Sequence, residues 1–197
     1  MNTFKYLFLA GLVAEEFIRA PHRRRHRQEW REKRFSESRT SRLDFTLDMA
    51  AFAGMMIIPL IYIFSPWLDF ADYALPAWVN WLGVPVLSGG VWLLWRAHRD
   101  LGRNWTPTLQ ITESHVLVTD GVYKRIRHPI YAAVWLTGLA QAMMLSNWIA
   151  GPACLLLFLP VYVVRVPREE RLMLDNFGVQ YRDYMQRTGR VIPRFEK

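Results

Sequence analysis

Long apolar segments alternate with short, strongly basic ones along this chain. Four apolar segments approach the length of about 20 residues that a helix needs to cross a bilayer, and they run near 48–68, 77–95, 130–145 and 148–166. A fifth segment, 4–20, is less apolar because Glu15 and Glu16 fall in its last turns; we interpret it as a retained helix rather than a cleaved signal. The pattern predicts an all-α integral membrane protein with about five transmembrane helices. Only Ser146 and Asn147 separate the last two spans, so we expect those spans to form a helical hairpin.

Lysine and arginine are distributed unevenly between the connecting segments. Residues 21–43 hold nine of them, residues 96–128 six and residues 165–197 eight, whereas residues 69–76 and the Ser146–Asn147 turn hold none. Short cytoplasmic loops of membrane proteins collect positive charge, so the alternation predicts a multi-pass protein with its N terminus outside and its C terminus in the cytoplasm. The short chain, without a sorting signal, favours a bacterial inner membrane.

The composition fits one membrane domain over residues 1–197. Apolar residues make up 52% of the chain and charged residues 21%, which excludes a disordered chain. The single cysteine, Cys154, provides neither an intrachain disulfide nor a cysteine-based metal cluster, so we predict no metal. The net charge of +8 is explained by basic segments beside the spans, which contact anionic lipids. No nucleic-acid-binding motif accompanies these segments, so we predict membrane lipids and no nucleic acid as partners.

Two polar segments, 101–131 and 165–193, carry patterns that simple linkers lack. In the first, Arg125, Arg127 and His128 directly precede Pro129, which is typical of the first turn of a helix. The positive end of such a helix at the cytoplasmic face would favour an anionic ligand. The alternative is that the two arginines only anchor the span at the lipid headgroups.

The second polar segment predicts a helix with apolar and aromatic residues on one face between Leu174 and Tyr184. This helix is too charged to span, so we expect a cytoplasmic C-terminal helix that packs on the membrane domain or lies at its surface. Glu169 and Glu170 lie in its first turn, where the helix dipole stabilises carboxylates. The alternative is that they offer a carboxylate to a ligand beside the membrane.

Taken in order, these motifs resemble the isoprenylcysteine carboxyl methyltransferase family, whose members are multi-span membrane enzymes that use S-adenosylmethionine. The likeness covers about residues 101–193 and comprises LGRNW, HVLVTDGVY, RHPIY, a helical hairpin and REERLMLDNFGVQY ending in VIP. An RHPxY motif followed across a hairpin by a Glu-Glu pair is the family's characteristic combination. The resemblance implies an S-adenosylmethionine-dependent methyltransferase with its cofactor pocket on the cytoplasmic side.

The resemblance also implies roles for particular residues. Arg165, four residues before Glu169, matches the family's substrate-binding arginine, and these two residues are the candidate catalytic residues. The positions that match the family's cofactor-binding residues are Gln110, His115, Val116, Leu117, Val118, Tyr123, His128, Pro129, Ile130, Tyr131 and Glu169.

We therefore predict methyl transfer to a lipophilic small molecule or prenylated substrate, and the family implies carboxyl O-methylation of an isoprenylcysteine-like acceptor. A carboxylate is ionised at neutral pH and needs no general base. A lipid amine, thiol or phenol, which remain open as acceptors, would have to lose a proton to Glu169 or Glu170. The alternatives outside methyl transfer are a nicotinamide-dependent reductase of related membrane fold and a non-catalytic membrane scaffold or small transporter.

Overall fold

Helices form most of this protein, and the computed structural model describes residues 3–31, 35–38, 41–105, 110–112 and 116–194. Two short strands, β1 (Phe35–Ser38) and β2 (Gln110–Thr112), pair in antiparallel fashion, so a small sheet accompanies the predicted helices. The α-helices within the described residues are α1 (Thr3–Arg31), α2 (Arg42–Phe52), α3 (Ile58–Phe64), α4 (Ala77–Leu101), α5 (Pro129–Met144) and α6 (Ala153–Arg187).

Among the described residues, two helical segments are long and apolar enough to cross a bilayer by length and composition alone. They are Arg42–Phe64, with a mean hydropathy of 2.0, and α4, with 1.3. The first is continuous because one turn of π-helix, Ala53–Ile57, joins α2 to α3. A π-helical turn weakens the regular ladder of backbone bonds, and the buried Gln141 side chain donates to the Gly54 carbonyl at 3.0 Å. The segment ends at Phe64, just before Pro66, which is earlier than the predicted boundary at residue 68.

The bundle is held together where small residues let helices approach closely, as is common in membrane proteins. A side chain at Gly83 of α4 would collide with Met144 of α5, and one at Gly90 would press on Thr137. At Gly138, α5 likewise lies against Leu155 of α6. The largest group of buried apolar side chains lies between α1, α3, α4 and α5 and includes Phe8, Leu12, Tyr62, Ile63, Leu87, Ala140 and Met144.

Residues 145–152 join α5 to α6, and the second of these helices is longer than the span predicted for it. It begins at Ala153 because residues 148–152 form turns, in which the Asn147 side chain accepts hydrogen bonds from the amides of Ile149 and Ala150. It continues beyond residue 166 to Arg187, with a kink at Gly178, whose φ of 52° suits a residue without a side chain. The predicted C-terminal helix is thus the continuation of α6.

Contacts between the connecting segments show which of them lie at the same end of the bundle. At one end, β1 lies in the segment after α1 and pairs with β2, which lies in the segment after α4. The backbone near Ile126 pairs with Gly189 beyond α6, so the C-terminal segment lies at this end too. At the other end, Asp72 pairs with Asn147, which joins the 65–76 connection to the turn after α5.

Candidate active site

A cavity of about 520 Å³ lies between the helices and the segment that leads into α5. This volume falls within the range of about 300–1,000 Å³ that is usual for small-molecule sites. One part of the wall is polar and includes His128, Tyr131, Arg165 and Glu169. The remainder is mostly apolar, with side chains from the α2–α3 segment, α5 and α6, among them Met49, Phe52, Met55, Val134, Phe158 and Val161.

Glu169 is the centre of the polar wall. Its Oε1 accepts a hydrogen bond from the Tyr131 hydroxyl at 2.6 Å and another from Nε of Arg165 at 3.0 Å. Its Oε2 lies 3.5 Å from Nδ1 of His128. Burial alone would raise the pKa of Glu169, but His128 and the Arg165 cation outweigh burial, so the pKa of this carboxyl lies below its ordinary value. Glu169 is therefore an anion at neutral pH.

His128 ends the loop before α5, and Pro129 occupies the first turn of that helix. The buried ring has carboxylate oxygens 3.5 Å from both nitrogens, from Glu169 on one side and Glu170 on the other. These distances are too long for hydrogen bonds, and Nε2 has no hydrogen-bond partner among the described residues. Desolvation disfavours the imidazolium, but the two carboxylates outweigh it and raise the pKa of His128 above its ordinary value.

Glu170 has a different environment from Glu169, although the two are adjacent. Its carboxylate is buried and receives 2.7 Å hydrogen bonds from Nε of Arg127 and from Nη2 of Arg190. Burial would raise the pKa of Glu170, but His128 and these arginines lower it well below its ordinary range. Arg127 also donates to the Thr188 carbonyl, so this cluster fastens the C-terminal segment to the start of α5.

Arg127 is thus not simply a headgroup anchor. Its side chain is only 10% exposed and is ion-paired with Glu170. The saturated Glu170 carboxylate is also a poor candidate for a general base, because a proton would have to displace its arginine partners.

The turn at residues 121–124 brings Tyr123 into the site. Gly121 adopts a φ of 61°, and a side chain there would collide with the Asp100 carboxylate. That carboxylate accepts a 2.9 Å hydrogen bond from the Val122 amide and so fixes the turn on α4. The Tyr184 hydroxyl donates to the Tyr123 carbonyl at 2.7 Å, which ties the turn to α6 as well.

The structure brings most of the residues predicted for the site into one place. Gln110 begins β2 opposite Ser38, but its side chain and the whole of His115 lie outside the described residues. The predicted residues that line the cavity are Val116, Leu117, Val118, Tyr123, His128, Pro129, Ile130, Tyr131, Arg165 and Glu169.

Several residues of the site were not predicted from the sequence. Asp48 of α2 accepts hydrogen bonds from Nη1 of Arg165 at 2.9 and 3.1 Å. Trp105, the last residue of the LGRNW motif, and Arg19 of α1 also line the cavity. An acidic residue at the start of an apolar span is a signal for function in a membrane protein, so Asp48 was detectable as a candidate, although its partner was not.

Two helical segments long and apolar enough to cross a bilayer, together with a cavity that is polar on one wall and apolar on the other, fit a membrane protein with a site for an amphipathic small molecule. Comparison with known proteins identifies its relatives. The profile of the isoprenylcysteine carboxyl methyltransferase (ICMT) family matches residues 81–175. Over these residues, just under half of its length, the chain is similar to this family of methyltransferases.

Individual relatives are similar over much of this chain. Protein-S-isoprenylcysteine O-methyltransferase B of Arabidopsis thaliana is 29% identical over 72% of this chain and 73% of its own length. The Tribolium castaneum protein-S-isoprenylcysteine O-methyltransferase is 33% identical over 67% of this chain and 50% of its own. A solved structure of a eukaryotic intramembrane Ras methyltransferase of this family matches with a TM-score of 0.54 and 28% identity. It is matched over 78% of this chain and 53% of that one, so the chain spans about half the length of the last two relatives.

Proposed function

We propose that this protein transfers a methyl group from S-adenosylmethionine to the carboxylate of an isoprenylcysteine-like acceptor at the boundary between membrane and cytoplasm. The observation that carries the proposal is the cavity with two unlike walls. Its polar wall combines the residues that match the family's cofactor motifs with Arg165, and its apolar wall suits a prenyl chain. The relatives described above are methyltransferases, so we set aside the reductase alternative.

The residues present fit S-adenosylmethionine. Its amino-acid carboxylate suits the His128 side chain and the positive N terminus of α5, and its hydroxyl and amino groups suit the Glu169 carboxylate. His128, Tyr131 and Glu169 all line the cavity, so their side chains border the space that a ligand would occupy. When bound, this cofactor supplies a methyl group on a positively charged sulfur.

The protein's contribution to the reaction is then mainly positioning, which can supply much of the rate of a displacement reaction. Arg165 orients the acceptor carboxylate, and Glu169 holds the guanidinium through Nε. Tyr131 in turn holds Glu169. An α-carboxylate has an ordinary pKa of about 3.5, so the acceptor arrives ionised and no side chain has to remove a proton.

The same proposal includes five spans with the site at the cytoplasmic end. Helices α1, α4 and α6 would run inward, whereas the α2–α3 segment and α5 would run outward. The loop contacts support this arrangement, because the basic segments that contain β1, β2 and Gly189 meet at one end. The segments without Lys or Arg meet at the other through Asp72 and Asn147.

The test combines cofactor binding with label transfer. The purified protein should bind S-adenosylmethionine and transfer labelled methyl to a prenylcysteine carboxylate in preference to a matched amine or thiol. His128→Ala and Glu169→Gln should each weaken cofactor affinity, because each loses a charge-assisted contact worth about 1.5–3 kcal/mol, or roughly 10- to 150-fold.

Asp183→Asn is the control, because Asp183 is an exposed carboxylate of α6 that does not line the cavity. Calorimetry that finds unchanged cofactor affinity in both site variants would remove the cofactor assignment. If the labelled methyl group is found on the amine or the thiol instead, the proposed carboxylate acceptor is wrong.

A further inference from the structure

Asp48 places a carboxylate against the guanidinium that we assign to the acceptor. It comes from α2, outside the two polar segments that carry the family motifs. Both of its oxygens accept from Nη1 of Arg165, at 2.9 and 3.1 Å. Its side chain is 34% exposed and lines the cavity, whereas the Arg165 side chain is only 9% exposed. A buried arginine beside an apolar cavity needs a counter-charge, and Asp48 supplies one.

Glu169 and Asp48, the two carboxylates that contact Arg165, differ in how many other side chains hold them in place. Glu169, on Nε, is also fixed by the Tyr131 hydroxyl. By contrast, the hydrogen bonds of the Asp48 side chain within the described part of the chain all go to Arg165. Asp48 is therefore the partner of Arg165 that can leave without breaking other bonds.

Asp44, the neighbouring acidic residue on α2, makes more hydrogen bonds than Asp48 and provides a comparison for it. Asp44, one turn earlier, forms the capping box of α2 with Ser41, and it accepts hydrogen bonds from the backbone amide of Ser41 at 2.8 Å and from its hydroxyl at 2.7 Å. It also pairs with Arg168 at 3.1 Å, and its side chain is only 2% exposed. Asp44 and Asp48 thus face successive arginines of α6, but only the second ion pair borders the cavity.

We propose that Asp48 occupies the acceptor's place on Arg165 and is displaced when the acceptor carboxylate binds. This inference rests on the proposed function. Acceptor binding is then an exchange of one carboxylate for another on the same guanidinium. A neutral group cannot displace Asp48, because it offers Arg165 no charge, so the exchange selects anionic acceptors.

The same exchange explains how the product leaves. Methylation converts the acceptor carboxylate to an ester and removes its charge. The ester competes poorly with Asp48 for a cation, because hydrogen bonds to charged groups are stronger than those between neutral ones. Asp48 returns to Arg165, and the methylated product keeps only its apolar contacts.

The experiment compares a prenylcysteine acid with its methyl ester on protein saturated with S-adenosylhomocysteine, which cannot donate a methyl group. Asp48→Asn removes the competing charge and keeps the side-chain shape. We expect the acid to bind roughly 10-fold or more tightly than to the unmodified protein, the lower end of the range for a charge-assisted contact. Ester affinity should stay within about twofold, so the ratio of acid to ester affinity should rise.

Three further variants separate displacement from a purely structural role. Asp48→Ser is a second neutral substitution that should raise the same ratio, and it serves if the Asn variant does not fold. Asp48→Glu retains the charge and should keep the ratio near that of the unmodified protein. Asp44→Asn makes the same change on the carboxylate that accepts hydrogen bonds from Ser41, and it should leave the ratio of acid to ester affinity unchanged.

An unchanged or lowered ratio in the neutral variants at position 48 would overturn the proposal and leave Asp48 as a support for Arg165. If the unmodified protein neither binds nor methylates the acid, the proposed function fails instead, and the two failures are distinguishable.

Discussion

Glu169 lies beside three side chains from two parts of the chain, which are the first turn of α5 and the preceding turn of α6. Arg165 precedes it by one helical turn, so that pair follows from the i,i+4 spacing alone. Tyr131 and His128 lie across the connection between α5 and α6, and only the likeness to a known family suggested that they meet Glu169. No local spacing could pair Asp48 with Arg165, because Asp48 lies 117 residues earlier in the chain.

The first prediction concerns the guanidinium of Arg165, which contacts Glu169 through Nε and Asp48 through Nη1. Lysine keeps the charge but has no planar fork with which to contact two carboxylates at once. Arg165→Lys should therefore lower kcat/KM for a carboxylate acceptor at least about tenfold, or ~1.4 kcal/mol, with little change in cofactor affinity.

Arg168→Lys is the matched control for that measurement. Arg168 lies three residues further along α6 and pairs with Asp44, and its side chain is 45% exposed. Steady-state kinetics should show little effect of this second substitution on the acceptor. Full activity of Arg165→Lys would instead make Arg165 an anchor of the span and weaken the case for a carboxylate acceptor.

At the scale of helices, the hydropathy pattern locates the apolar part of each helix but does not show at which residue the helix ends. Helix α1 continues to Arg31, well past the predicted boundary at residue 20, and α6 continues to Arg187. Basic side chains are good helix formers, so these helices extend into polar sequence that a hydropathy pattern ignores. Helix α2 begins at Arg42, before the predicted boundary at residue 48, and the capping box of Ser41 and Asp44 is a sequence signal that the prediction did not use.

The charge of Glu15 weakens the sequence prediction that α1 spans the membrane, but the same charge forms contacts that can stabilise the fold. In the sequence it interrupts the apolar pattern of α1, but in the structure its side chain is only 1% exposed. Thr137 of α5 donates a hydrogen bond to it, and Arg19 lies 2.9 Å away. The partner on α5 is 122 residues distant, so the sequence alone could not show that this charge is compensated.

The second prediction follows from that contact between α1 and α5. Glu15→Ala removes one partner of a buried ion pair and leaves Arg19 without its main counter-charge. We expect a loss of about 3 kcal/mol in the free energy of unfolding, measured by denaturation in detergent. Glu16→Ala, which removes a more exposed carboxylate from the same turn of α1, should cost less than about 1 kcal/mol. Equal effects of the two substitutions would contradict a specific role for Glu15.

At the scale of the whole molecule, loops that the distribution of charge assigns to one side of the membrane lie at one end of the bundle. Charge patterning acts during insertion, whereas the contacts form in the folded protein. The two are therefore independent lines of argument for the same grouping. The strands β1 and β2 were not predicted, because each is only three or four residues long and depends on pairing between distant segments.

The third prediction is that the two ends of the bundle face opposite sides of the membrane, with the active-site end in the cytoplasm. Ala74 and Lys124 are exposed residues at opposite ends, and each can be replaced by cysteine after the buried native Cys154 is changed to alanine. In right-side-out vesicles, a membrane-impermeant maleimide should label position 74, whereas position 124 should react only after the vesicles are opened. Labelling of both positions from one side would contradict the five-span arrangement. Labelling of position 124 alone would keep the grouping of the loops but reverse the orientation, and the cofactor and the acceptor would then have to reach the site from outside.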